Sequence, residues 1–250
     1  MKLINKKQEQ DSLGIYFDFD NFWAGLLDTV PTLYKLELTE NIKKDIEKQF
    51  SKVLEKVLEN KNIKYIKSYS DFDKLPYAKD INMIDLLHNK GIQTYMPYVR
   101  GNKDMADRAL IISVIKDIII EKKKVDKIII ITGDIDYLPL FEFLSEDSEV
   151  DFELLSFENR FNTAYQDVFY IKNKINFIDK LIDQNSKELE NEKKFKVFKE
   201  YLEEQKLTVI DKNINFKSVS SKINKEHYFR IESWRMNNFV KKIRQEHNKS

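Results

Sequence analysis

Lys127-Ile-Ile-Ile-Ile-Thr132-Gly133-Asp134-Ile-Asp136-Tyr-Leu-Pro-Leu140 is the stretch whose reading decides the fold. Four consecutive Ile are apolar on both sides of a β-strand. A central parallel strand covered by helices on both faces needs that pattern, and a half-solvated antiparallel strand does not. Gly133 breaks the run, and Leu138 to Leu144 reads as a short helix. Upstream, Met105 to Ile120 reads as a helix that is apolar on most sides and therefore buried, with a Lys122-Lys-Lys turn leading into the strand.

The alternation continues outward. Leu13 to Asp18 is strand-like in its β-branched and aromatic content, and Asn21 stands at a helix start before Phe22, Trp23, Leu26 and Leu27. Thr39 can cap a helix whose apolar positions Ile42, Ile46, Phe50, Val53, Leu54 and Val57 follow a 3.6-residue stripe. Asn62 to Ser70 reads as a strand. A helix around Ile81 to His88 ends before Gly91, a suitable left-handed C-cap, and Ile92 to Met96 is a strand stopped by Pro97. Asp151 to Phe157 is a further strand, and Asn162 to Ile171 leads into a last helix of the body. Strands alternating with helices predict an α/β, doubly wound fold with a mostly parallel sheet over residues 1–180. Residues 181–194 are polar with no strong apolar stripe and read as a linker or exposed helix. Residues 195–250 carry short apolar pieces that suggest a small helical or winged-helix-like module.

Composition limits the function classes. The 250 residues contain no Cys and three His, so disulfides, thiolate zinc sites and cysteine nucleophiles are excluded, and a His-rich metal site is disfavoured. A bound metal would be held by oxygen, which points to Mg²⁺, Mn²⁺ or Ca²⁺. The sequence has no apolar run of about 18 residues and no secretory leader, so the expectation is a cytoplasmic protein without a membrane partner. No seam of apolar positions marks an oligomer interface, which leaves a homo-oligomer open. Charge is unevenly spread. Residues 1–180 hold 27 Lys+Arg against 31 Asp+Glu, whereas residues 181–250 hold 16 against 11. A basic tail on an acidic body suggests a polyanionic partner, although such blocks also serve simple solvation. In the tail, Lys222, Lys225, Arg230, Arg235, Lys241, Lys242 and Arg244 are interleaved with Tyr228, Phe229, Trp234 and Phe239. Basic side chains can track phosphates and aromatic faces can stack bases, while aromatic spacings of five also suit the module's own core.

Three acidic pairs stand where chemistry would be sited. Asp18 and Asp20 follow the first strand, Asp104 and Asp107 open the Met105 helix, and Asp134 and Asp136 follow the Ile strand. In a doubly wound sheet the carboxyl ends of the strands line one crevice. Clustered carboxylates repel, and a divalent cation is the usual resolution. A buried Asp18 has no good structural excuse, since an unpaired buried carboxylate is costly. Asp20, Asn21, Asp104 and Asp136 could each instead cap a helix, and Lys103 and Arg108 could be plain surface charges.

The same residues carry a resemblance to the NYN family of PIN-like ribonucleases. Tyr16-Phe-Asp18-Phe-Asp20-Asn21 is similar to the family's opening strand. Lys103-x-x-x-Asp107-Arg-Ala-Leu110 resembles its Lys…Asp-x-x-Leu helix start. Thr132-Gly-Asp134-Ile-Asp136-Tyr-Leu-Pro-Leu140 resembles its Ser-Gly-Asp-x-Asp-Phe-x-Pro-Leu signature, and Ala164-Tyr-Gln-Asp167-Val-Phe169 a late Ala-Asp-x-Phe. The resemblance implies hydrolysis of RNA with Mg²⁺ or Mn²⁺. It assigns Asp18, Asp107 and Asp134 as ligands, Asp136 beside them and Asn21 to the turn after the first strand; Lys103 and Arg108, next to these acids in sequence, are candidate RNA contacts. One position departs: Ser113 stands where family members often carry a further Asp, leaving Asp104 or Asp20 as a substitute ligand.

Two other classes compete. Asp18-x-Asp20 after a strand also resembles the haloacid-dehalogenase phosphatases, but Phe22 stands where their Thr is expected and Leu138 where an acid is needed. A non-catalytic RNA-binding or scaffold protein that keeps the fold is the other alternative.

Overall fold

The computed structural model describes residues 11–33, 37–97, 105–122, 124–205, 215–227 and 231–247. Six parallel strands form one sheet: β1 (Ser12–Asp18), β2 (Asn62–Tyr69), β3 (Gln93–Tyr95), β4 (Lys127–Ile131), β5 (Asp151–Ser156) and β6 (Ile175–Phe177). Their spatial order is β3-β2-β1-β4-β5-β6, with β1 and β4 central and in register from Leu13↔Lys127 to Phe17↔Ile131. This order runs one way from β1 and the other way from β4. The crevice at the carboxyl ends of those two strands is therefore the topological switch point, where open α/β sheets bind ligands.

The two-sided reading of the Ile strand holds. Ile129 and Ile131 enter one core with Ile15 and Phe17 of β1, beneath α1 (Phe19–Thr29), α2 (Glu40–Leu58) and α3 (Met83–Asn89). Ile128 and Ile130 enter the opposite core with Tyr16, beneath α4 (Ala106–Ile115) and α5 (Leu138–Glu146). Thr39 caps α2 by accepting from the Ile42 N–H, as its position predicts. Gly91 adopts φ +74° just past α3, the left-handed conformation that a glycine adopts at little cost. No helix among the described residues is long and apolar enough to cross a membrane.

Three expectations are corrected. The helix from Met105 is not buried all round. Its last turn, Lys116–Ile120, is π-helical, and Ile112, Ile119 and Ile120 are 64%, 51% and 71% exposed, because the sheet can cover only one face. The segment after Asn162 forms a 3₁₀ turn (Thr163–Asp167) and then the edge strand β6, whose three residues are too few to show a period, before α6 (Ile178–Leu181). Residues 181–194 are not a linker throughout. Of the two readings, linker or exposed helix, the helix holds from Ser186, where α7 (Ser186–Glu204) starts, capped by Asn185, which accepts from the Glu188 N–H. It is not exposed throughout, since Ser186, Lys193 and Lys194 are buried.

The first half of α7 packs on the body through polar groups, which is why no apolar stripe announces it. Lys193 is buried and donates to the carbonyls of Leu27 and Asp28 at the end of α1, at 3.2 and 2.8 Å. Such a cation complements the negative end of the helix dipole. The second half of α7 supplies Val197, Phe198 and Leu202 to a separate small core with α8 (Phe216–Ile223) and α9 (Ser233–His247). The C-terminal region is thus helical in its described residues. Val209, Ile210, Ile214, Tyr228 and Phe229 lie outside them.

Candidate active site

Asp18 ends β1 and is also the N-cap of α1, accepting from the Asn21 N–H at 3.3 Å through Oδ1. Its other oxygen, Oδ2, accepts from the Thr132 hydroxyl at 2.7 Å. Thr132 is buried at the end of β4, and the same hydroxyl oxygen accepts the Asp134 N–H at 3.1 Å. One threonine therefore joins the ends of the two central strands. Asp134 caps the 3₁₀ turn Ile135–Tyr137, with Oδ1 accepting from the Asp136 N–H at 3.0 Å. Gly133 is required between them: a Cβ there would lie 2.2 Å from the Arg160 carbonyl oxygen. Asp107, in the first turn of α4, accepts from the Tyr137 hydroxyl at 3.0 Å. The Tyr165 hydroxyl donates to the Asp134 carbonyl.

These bonds bring carboxylates from three separate elements to one end of the sheet. Asp18 is 4% exposed, and its carboxyl is pushed up to about 7. Burial is the largest cause, and the charges of Asp107 and Asp20 add to it, against the bonds from Thr132 and Asn21. The Tyr137 phenol is held far above its usual range by burial and by the charges of Asp18, Asp107 and Asp134, so all three acids act on one hydroxyl.

Of the other expected residues, Asp20 is drawn toward β2, accepting from the Ser70 hydroxyl at 2.8 Å. Asp136 is exposed beside Asp134, and Asn21 serves the turn through its backbone N–H. Arg108 is exposed about 100° round the helix from Asp107. Lys103, Asp104 and Arg230 lie outside the described residues. Lys222, Lys241, Lys242 and Arg244 are exposed on the C-terminal helices and Lys225 in the turn after α8, while Arg235 pairs with Glu232 at 3.2 Å. Trp234 is 61% exposed, with the Arg235 guanidinium 5.2 Å from its ring centre, whereas Phe239 is core. Phe22 is packed in the core at the position where a phosphatase would need a hydroxyl.

The sequence reading missed Thr132, Tyr137 and Tyr165 as holders of the acids. It also missed a buried ion pair: Lys67 on β2 meets Asp117 in the π-helical turn at 2.7 Å. Lys67 also donates to Ser113 at 3.2 Å, and the Tyr16 hydroxyl donates to Asp117 at 2.5 Å. Asp117, an acid inside the apolar run 111–120, was the available signal, whereas Lys67 shares its strand with Lys64 and does not stand out.

The donor set is all oxygen and suits a hard divalent cation. Among the described residues no three acids stand in the tight group of an assembled cation cage. Each of the three is held by a hydroxyl or an N–H of the chain itself.

Residues 13–175 match the family model described as "NYN domain". No curated protein matches the chain. Among solved structures it is similar to a protein of unknown function from Vibrio parahaemolyticus, with 16% identity and a TM-score of 0.50 over 72% of this chain and 98% of that one. At that identity the likeness speaks to fold.

Proposed function

The chain belongs to the NYN domain family, with its PIN-like nuclease fold, and we propose that this member is a ribonuclease using Mg²⁺ or Mn²⁺ at Asp18, Asp107 and Asp134. One observation carries the reading: carboxylates from β1, α4 and the turn after β4 converge at the switch point of the sheet, linked through Thr132 and Tyr137. Such a cation, when bound, neutralises charge on the scissile phosphate and lowers the pKa of an attacking water. The chain's own residues fix the geometry. Thr132 and Asn21 hold both oxygens of Asp18, Tyr137 aims Asp107, and the 3₁₀ turn sets Asp134. Asp136 stands exposed beside Asp134, where it can take part through water.

An acidic crevice repels RNA, so affinity is assigned to the basic C-terminal helices. Lys222, Lys225, Lys241 and Lys242 are exposed in that region and can contact phosphates, and the exposed Trp234 can stack an unpaired base. Calorimetric titration of the full chain with Mn²⁺ tests the metal assignment. Saturable binding that Asp134→Asn weakens by about tenfold or more supports it. Unchanged binding by that variant removes it. A protein that binds RNA and no divalent cation is the scaffold instead.

A further inference from the structure

Helix α4 rests on the sheet through Ala106, Leu110 and Val114, with Asp117 buried on the same side. The opposite side is apolar as well. Ile112 and Ile119 are 64% and 51% exposed, with Ile120 beside them at 71%. Arg108, Ile112, Ile115 and Ile119 follow one another by steps of four, three and four residues. Arg108 and Ile112 are exposed on the outer face of the α-helical turns, Ile115, between them and the end, is half-buried against the core, and Ile119 is exposed in the π-helical turn. Alternating steps of four and three residues make the seam by which two helices pack along their length. Exposed Ile112, Ile119 and Ile120 on one helix make an apolar patch of the kind that marks an interaction surface.

We propose that this seam is the interface of a two-fold dimer, in which α4 packs antiparallel against α4 of a second copy. The charges at the two ends of the seam select that occupant. Arg108 is exposed at the start of the helix, and Glu121 lies just past its last turn, held by Lys116 of its own chain at 3.1 Å. A two-fold axis near Ile115 sets each Arg108 against the other copy's Glu121, and each Ile112 against the other copy's Ile119. The surface is thus complementary to itself, as an isologous contact requires, and the antiparallel pairing also opposes the two helix dipoles. Asp107 opens the same helix, so the two acidic crevices would lie at opposite ends of a seam about 20 Å long. The inference stands independently of the chemistry assigned to those crevices.

Sedimentation equilibrium of the full chain, from micromolar to hundreds of micromolar, tests it. The expected result is a monomer–dimer equilibrium. Ile112→Glu combined with Ile119→Glu should give a monomer at every concentration, with the melting temperature that the wild type shows where it too is monomeric, since both side chains are on the outside. Arg108→Glu alone and Glu121→Arg alone should each weaken the dimer by about fivefold. Combining the two should restore it, because each charge meets its opposite across the axis. A wild-type chain that is monomeric throughout overturns the proposal, and so does a dimer indifferent to the Ile changes. Failure of the charge swap to restore affinity overturns the antiparallel register.

Discussion

The hydroxyl of Thr132 donates to Asp18 Oδ2 at 2.7 Å, while its oxygen accepts the N–H of Asp134 at 3.1 Å. A single side chain, itself buried, thereby sets the separation of two acids carried by different strands. Thr132→Val keeps the shape and removes both bonds, leaving a buried carboxylate oxygen without its donor. It should lower the unfolding free energy by about 1–3 kcal/mol and slow RNA cleavage by about tenfold or more. Thr132→Ser should retain most of both. Urea unfolding and initial cleavage rates check this, and a Val variant equal to wild type in both would contradict it.

The Lys67–Asp117 pair lies under α4 with both partners nearly inaccessible, at 6% and 1% exposure. The Lys67 ammonium also sits 5.6–5.9 Å from the ring centres of Tyr16, Tyr65 and Tyr95. Removing one partner strands a charge in a dry place. Asp117→Leu should therefore cost about 3–5 kcal/mol, and Lys67→Met/Asp117→Leu together should cost less than that single change. Equilibrium unfolding of the four proteins in this cycle gives the coupling, and strictly additive effects would refute it.

Lys193 ties the C-terminal helices to α1, and burial pulls its ammonium down to about 8, against the opposing charges of Asp28 and Glu190. Between pH 8 and 10.5 the folded chain thus holds fewer protons at this site than the unfolded chain. Stability should rise with pH through that window. Relative to Lys193→Met, the wild type should gain up to about 3 kcal/mol. Paired denaturation curves across the window measure the difference, and a flat or falling difference would be the contrary result.

Trp234 is 61% exposed and Trp23 is fully buried, and the chain has no other tryptophan. Adding single-stranded RNA should quench the long-wavelength, exposed part of the emission and spare the buried part. Lys222, Lys225, Lys241 and Lys242 changed together to Glu should weaken RNA binding and flatten its salt dependence by about three to four counterions. Unchanged quenching and an unchanged salt slope in that variant would assign these helices to another task.

The parts of the fold governed by local patterning were legible in the sequence. Ile128 to Ile131 announced a strand buried on both faces, and Thr39 and Gly91 marked helix ends through their own chemistry. Asp18 and Asp134 stood at strand ends, where the topology itself defines a crevice. What escaped depends on contacts between distant residues. Thr132 and Tyr137 look like ordinary strand-end and helix-start residues until the ends of β1, β4 and α4 come together. The first half of α7 docks through Lys193 on backbone carbonyls, an attachment that leaves no apolar period to read. The reading of the Met105 helix as buried took its apolar content as burial, although the sheet covers only the side of Leu110 and Val114.

The central claim is that the carboxylates joined through Thr132 and Tyr137 cleave RNA with a divalent cation. Single-turnover cleavage of an end-labelled RNA, with Mn²⁺ and with EDTA, by wild type and by Asp134→Asn, tests it most directly. The account predicts cleavage in Mn²⁺, none in EDTA, and a rate lowered by about 10²-fold or more in the variant, as expected when several kcal/mol of charge stabilisation are lost. Cleavage that is undiminished in EDTA, or equally fast in Asp134→Asn, would contradict it.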